Sequence, residues 1–303
     1  MFAIIAVLLF LLLSNVSVPG SRVEGCLSSC SNAGGLNADS IRVISLNMLH
    51  GYQNFDNLSA RLDLIAGEIQ SLDADIVLLQ EVPWTQGTGN AAEHLSQRLG
   101  MNYAYYRANG NRKIIGFEEG EAILSRYPIE NPKGIELHPR ASVFEHRVVL
   151  QASIATHLGE VLVFVTHLTN GDPDINAKQS AALLEYVDQQ DICYRIVAGD
   201  LNAQEDSVQI KSLSDCWIDT YRIVNPDLNG FTCCIDNINS APDETLEKRI
   251  DYIFIAPGDD TVINISDSQL VFDQPSRVRN SWLWASDHIG LSVTLGIEEE
   301  LED

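Results

Sequence analysis

One event recurs along this chain and limits what it can fold into. A short apolar run, rich in β-branched residues, ends in a carboxylate, an amide or an imidazole. "VISLN" ends at Asn47, "DIVLLQE" at Glu81 and "VFVTH" at His167. "RIVAGDLN" delivers Asp200 and Asn202 with one residue between them, and Gly199 is expected to permit a bend there. "RIDY" carries Asp251 at a strand start, and "ASDHIG" presents Asp287 and His288 just before one. A single strand-end Asp or Asn is an ordinary turn former, and a lone histidine beside a strand is an ordinary structural residue. Six such ends, all of related chemistry, point to a convergent pocket at one rim of a pair of sheets.

The periodicity agrees. Strand patterns occupy 41–47, 75–81, 102–107, 121–129, 146–155, 160–168, 195–199, 248–256 and 288–297. Helical spacing appears at 58–72, where Leu62, Ile65, Ala66, Ile69 and Leu72 share a face, and again at 90–100 and 174–190. Strands that follow strands directly imply antiparallel pairing, and the helices can cover the outer faces of two packed sheets. One domain over 41–297 is the expected organisation.

The flanks differ. Residues 1–20 hold an apolar core, Phe2 to Leu13, too short to span a bilayer comfortably and followed by small and polar residues. They read as a signal peptide without a basic start, so a secreted or periplasmic location is expected, with an N-terminal membrane anchor as the alternative. Residues 21–40 read as a polar linker, and 298–303 as an acidic tail. Six cysteines permit disulfides. Cys26 and Cys30 are spaced for a small loop, and Cys216 can pair with Cys233 or Cys234. Zinc is a poor match, because Cys233-Cys234 lacks a spacer and no His pair accompanies it.

The net charge is −23, and the tail supplies five of the acids, which leaves −18 on the remainder. With only five lysines in the chain, such a field argues against tight nucleic-acid binding through a basic face. It does not oppose an enzyme that reaches phosphate through a cation. Phosphate-ester hydrolysis suits the residue set. Glu81 with Asn47 offers oxygen ligands to a hard divalent cation, an aspartate can orient or deprotonate water, and imidazoles beside carboxylates move protons or supply positive charge. No P-loop, G-x-S-x-G elbow or H-E-x-x-H helix is present.

"LNMLHG", "LLQE", "GEAILSRYPI", "HRVVL", "VTHL", "AGDLNA", "RIDYIF" and "SDHIGL" occur in an order that resembles the endonuclease/exonuclease/phosphatase superfamily. The resemblance runs from Ile41 to Leu295. It implies a deoxyribonuclease I-like fold: a four-layer α/β/β/α sandwich of two mixed, largely antiparallel sheets flanked by helices. It implies Glu81, Asn47 and Asp287 at a metal, Mg2+ with Mn2+ or Ca2+ as alternatives. It also implies Asp200 on water, Asn202 and His167 on phosphate, and His288 as acid/base oriented by Asp251. Glu121, ahead of Glu119, is a candidate partner for His167, and Arg147 a candidate phosphate contact. His50 falls in a variable loop and is left unassigned.

The expected activity is therefore divalent-metal-dependent hydrolysis of a phosphodiester, nucleic acid or phospholipid or a smaller diester. Phosphomonoester hydrolysis and a non-catalytic binding relative are the alternatives. An inactive relative would lack at least one of Glu81, Asp200, Asp287 and His288, and all four are present. Trp282 and Trp284 either pack on one strand face or meet a base or a membrane surface. A monomer is expected.

Overall fold

The computed structural model describes residues 17–32, 39–190, 192, 194–242, 245–258 and 263–297. The apolar start and the acidic tail lie outside them. In chain order, the first half contains β1 (Glu24–Cys26), β2 (Ser40–Asn47), α1 (Leu58–Ser71), β3 (Ile76–Thr85), β4 (Gly89–Asn90), α2 (Ala91–Leu99), β5 (Asn102–Asn111) and β6 (Phe117–Ser125). The second contains β7 (Ile129–Leu137), β8 (Arg147–Thr156), β9 (Gly159–His167), α3 (Pro173–Asp188), β10 (Tyr194–Asp200), α4 (Val208–Ser214), β11 (Ile218–Asp219), α5 (Thr220–Val224) and β12 (Asp251–Pro257). The chain ends with β13 (Ile263–Val271), the hairpin β14 (Ser276–Val278) and β15 (Ser281–Leu283), and β16 (Gly290–Ile297).

One sheet has the order β1-β5-β6-β3-β2-β16-β13, with β4 on β3; the other is β11-β12-β10-β9-β8-β7. Each has one parallel pair, β2/β3 and β9/β10, joined by a helix as a parallel pair requires. All other strand pairs among the described residues are antiparallel. Strand alternation explains the four layers. Val43, Leu78, Val163 and Ile196 point between the sheets, while their neighbours Ile44, Leu79, Phe164 and Val197 point outward. The outward set meets α1 and α2 on one sheet, and α3 and α4 on the other. This is the expected sandwich.

Three local readings change. The run 121–129 is not one strand: β6 ends at Ser125, and after Tyr127-Pro128 the chain re-enters in the opposite sheet as β7. The polar span 21–40 is not simply a linker. Glu24–Cys26 forms an edge strand on β5, Cys26 is bonded to Cys30, and Asn102 Oδ1 accepts from the N–H groups of Cys30 and Ser31. Gly199 does not bend β10. A Cβ there would lie 1.9 Å from the Thr166 carbonyl oxygen, so glycine serves close strand approach.

Candidate functional site

The two-residue period that fills the core also builds the site. Val163 and Val165 lead to His167, Ile196 and Ala198 to Asp200, and Ile253 leads back to Asp251, all on the face between the sheets. Asp200 lies opposite His167 on β9 and opposite Asp251 on β12. The C-terminal ends of the parallel strands and the N-terminal end of their antiparallel neighbour thus share one edge. On the facing sheet, β2 brings Asn47 to the same edge.

Glu81 arrives differently. Regular alternation would turn it outward with Leu79. Between Leu79 and Val82 the β3–β6 register shifts, so that Gln80 and Glu81 oppose Glu121 alone. Glu81 sits at φ 54°, a left-handed backbone rare for a non-glycine residue and worth about 1–3 kcal/mol of strain. Bulges of this kind re-aim side chains, and this one turns Glu81 to the site.

Asn47 links the sheets. Its Nδ2 donates to Glu81 Oε1 at 3.2 Å and to Asp200 Oδ2 at 3.0 Å, while its Oδ1 accepts from the Leu49 N–H. It therefore meets these carboxylates as a donor, and its oxygen keeps a second lone pair. Glu81 also accepts from the His50 N–H at 3.1 Å, and its Oε2 lies 3.5 Å from His50 Nε2. Burial alone would raise the Glu81 pKa, but His50, His167, the His50 amide and Asn47 outweigh it and bring it down to about 2.

Asp200 accepts from the Asn202 N–H at 2.9 Å. Burial, then the charge of Asp251, raises its pKa to about 7 against the pull of His288 and Asn47. His288 Nδ1 is 2.9 Å from Asp251 Oδ2, and its Nε2 is 3.7 Å from Asp200 Oδ2. Burial disfavours its charged form, but Asp251 and Asp200 prevail and hold it well above the ordinary histidine range. His167 goes the other way. Burial and the nearby Arg147 hold it well below that range. Asn202 Nδ2 donates to the Leu168 carbonyl at 3.0 Å and to His167 Nε2 at 2.9 Å. The carbonyl fixes which end of the amide is nitrogen, so His167 accepts at Nε2 and carries its proton at Nδ1. Both amide hydrogens of Asn202 are thus used within the protein rather than offered to phosphate.

A cavity of about 440 Å³ opens over these groups, lined also by Arg147, Lys248, Asn170, Gln204, Asp287 and the Cys233–Cys234 pair. Burial raises the Asp287 pKa. A larger hollow of about 1020 Å³ lies against Trp282 and Phe55 and contains none of these catalytic candidates.

The candidate set converges with exceptions. Glu121 does not contact His167: the imidazole's neighbours are Asn202, Asp200 and Glu81, and Glu121 Oε2 is buried without a hydrogen bond. Arg147 lines the cavity and pairs with Glu145. Trp284 is 4% exposed and packs with Ile235 and Ile289, so it has no face left for a membrane or a base. Trp282 is half-buried under Arg277, with the guanidinium carbon 4.3 Å from the ring. Cys216 is free and exposed, because Cys233 is bonded to Cys234 instead.

Sequence reading missed Lys248, Asn170 and Gln204, and also Arg61. Arg61 is 1% exposed and donates to the carbonyls of Met48, Leu49 and Ala285, fastening the loops beside Asn47 and Asp287. Burial lowers its pKa to about 10 against Asp287 and Glu81. A signal existed: Arg61 falls on the apolar face of α1 with Leu58, Leu62 and Ile65.

The sequence pattern of the Endonuclease/Exonuclease/phosphatase family matches residues 44–288. The chain belongs to that family. Its members hydrolyse phosphate esters. No curated protein matches this member by sequence. Among solved structures, it is similar to an endonuclease/exonuclease/phosphatase family protein from Bacteroides thetaiotaomicron, with TM-score 0.67, 19% identity, and 86% of this chain and 98% of that one covered. It is also similar to a humanized D. rerio TDP2, with TM-score 0.67, 17% identity, and 86% and 100% covered. A third is the mannosyl-6-phosphatase Bt3783 of Bacteroides thetaiotaomicron, with TM-score 0.65, 18% identity, and 84% and 99% covered. At these identities the likeness is one of fold.

The donor set fits a hard divalent cation. Glu81 is fully ionised near neutral pH and faces the cavity with Asp287, both with oxygen donors only. Asp200, Asp251 and His288 also place ligand atoms within 4.8 Å of one another. There, however, a hard cation would compete with the proton that Asp251 and Asp200 favour on His288. Glu81 and Asp287 are the better pair.

Proposed function

We propose that this protein is a divalent-metal-dependent phosphodiesterase that uses Asp200 to activate water. One observation carries the reading: a buried aspartate whose pKa is raised to about 7 stands between a neutral and a charged histidine, across the cavity from an ionised glutamate. A base poised near neutrality can take a proton from water and still be ionised often enough to act.

Glu81 and Asp287 would hold Mg2+, which supplies polarisation of a phosphoryl oxygen and offsets charge on it. Asn47 fixes Glu81 and Asp200 relative to each other across the sheet gap. His288, kept protonated by Asp251, donates to the leaving oxygen. His167, neutral, accepts from Asn202 at Nε2 and turns its buried Nδ1 towards Glu81, so it holds these two groups in place. Arg147 and Lys248 offset the remaining charge at the mouth.

The test is hydrolysis of a chromogenic diester with Mg2+, with Mn2+ and with chelator. Metal-dependent turnover that Glu81→Gln lowers by about 10²-fold or more is expected. Inactivity with every divalent cation, or full activity in chelator, would remove the proposal. A panel of DNA, RNA, sphingomyelin and sugar phosphates then assigns the ester.

A further inference from the structure

The Cys233–Cys234 pair lines the cavity but has no part in the hydrolysis just described. Its backbone sits between two segments that carry site residues. Cys233 exchanges N–H···O bonds with Lys248, three residues before Asp251, and also bridges to His288. Thr232 and Ile235 extend the same clip: Ile289 N–H donates to Thr232 O, and Ile235 N–H to Asp287 O. Cys233 is 1% exposed, whereas Cys234 is exposed and open to a reductant from solvent. Both sulfurs and a ring nitrogen of His288 lie within 4.8 Å of one another.

Adjacent cysteines lack the spacer and second histidine of the usual zinc motif, but here the fold adds His288 from a distant segment, and the spacing is short enough for three ligands of one metal ion. Two sulfurs and an imidazole form a soft donor set, suited to zinc or cadmium and not to magnesium. The oxygens of Glu81 and Asp287 across the cavity have the opposite preference. One ring nitrogen of His288, Nδ1, is already engaged by Asp251, which leaves Nε2. A carboxylate behind a metal-bound imidazole fixes its orientation and raises its basicity.

We propose that Cys233 and Cys234 form a redox-controlled site for a thiophilic divalent cation, which shares His288 with the phosphate cavity. Oxidised, the pair is a wall of the cavity. A dithiol or phosphine reductant delivers two electrons, the S–S bond breaks, each sulfur gains a proton, and the reductant leaves oxidised. Capture of Zn2+ then releases the two thiol protons and the Nε2 proton of His288, and leaves two thiolates and one neutral imidazole on the metal. His288 can no longer donate to a leaving group, so capture stops hydrolysis. This last consequence rests on the reading of His288 given above; the capture itself does not.

The experiment counts zinc retained after desalting by the oxidised and the phosphine-reduced protein. The Cys233→Ser/Cys234→Ser chain, treated in the same way, subtracts any contribution from the other cysteines. The reduced wild type should retain one more Zn2+ per chain than its oxidised form, and the double variant should show no such gain. His288→Ala should weaken the retained zinc at least tenfold in competition with a chromophoric chelator. With Mg2+ in excess, one equivalent of Zn2+ should lower turnover of the reduced wild type at least tenfold. A zinc-selective chelator should restore it. Equal zinc retention by the reduced wild type and the double variant would overturn the site. Retention without loss of turnover, or indifference to His288→Ala, would overturn the sharing of His288. If no metal supports hydrolysis, the hydrolytic reading fails by itself and the zinc count still decides the site.

Discussion

His167 and His288 stand beside the same oxygen of Asp200, at 3.4 and 3.7 Å, and are almost equally buried at 5% and 6% exposed. Their charge states are opposite. His288 presses Nδ1 against the Asp251 carboxylate, and His167 receives a hydrogen bond from the Asn202 amide. Burial disfavours the imidazolium at both, so burial cannot be the difference. Neighbouring charge decides it: the touching partner Asp251 raises His288 first, whereas Arg147 lowers His167 against the pull of Glu81. The site thereby obtains, from one residue type, a cation that can release a proton and a neutral ring that cannot.

Replacing that partner should therefore do the most damage. Asp251→Asn leaves His288 buried without its counter-charge and exposes the imidazole to the choice of tautomer that His167 faces. Turnover of a chromogenic diester should fall by about 10²–10⁴-fold. The His288 imidazole, followed by NMR, should titrate far below its wild-type value. Unchanged titration would mean that Asp200 alone charges His288.

The converse exchange should act more weakly. Asn202→Asp offers His167 a carboxylate in place of an amide, so its pKa should rise towards that of His288. The neutral ring becomes a cation competing for Asp200, and kcat/KM should fall about 10–100-fold. A His167 that stays neutral would show that Arg147, not Asn202, governs it.

How far these contrasts were legible in the sequence follows from how each residue reaches the site. His167, Asp200 and Asp251 ride on strict alternation, and any reader of period two can place them on one face. Glu81 breaks that period. Its position came from resemblance, because a bulge opposite Glu121 leaves no local mark in "LLQEV". The strand at 129–137 was missed because "IENPKGIEL" lies at a sheet edge and keeps a polar, half-exposed pattern. Gln204 was invisible because a loop places it, and Lys248 fell within the strand pattern 248–256, whereas the strand begins at Asp251 and Lys248 pairs with Cys233 instead. The expected pairing of Cys216 with Cys233 or Cys234 gives way to a bond between the two adjacent cysteines, which spacing alone does not single out. The donor side of Asn47 and the used amide of Asn202 depend on single hydrogen bonds that only coordinates supply.

The same rule about partners recurs on β6, where a smaller effect tests it away from the chemistry. Glu118 and Glu121 are three residues apart, each 1% exposed, on opposite faces of the strand. Glu118 is bracketed by Arg107 and Arg112, at 2.5 and 2.8 Å. Burial would raise its pKa, but the two arginines lower it. Burial drives Glu121 well above the ordinary range, Glu119 adds to the shift, and Arg147 only partly opposes it. A depressed carboxyl pKa stabilises the fold above the unfolded value and loses that contribution as pH falls through the folded one. A raised carboxyl pKa does the reverse: the unfolded chain gains by ionising as pH rises, and the fold weakens. Glu118→Gln should thus cost about 2 kcal/mol at pH 7.5, below the range for a fully buried pair because both arginines are partly exposed. The cost should shrink as the pH is lowered below the unfolded carboxyl value. Glu121→Gln should add about 1 kcal/mol at pH 7.5, if the new amide finds a hydrogen bond, and almost nothing at pH 4. Urea unfolding of the three chains at both pH values decides it. A Glu121→Gln chain no more stable than wild type at pH 7.5 would mean that Glu121 is ionised in place and that Arg147 is its true partner.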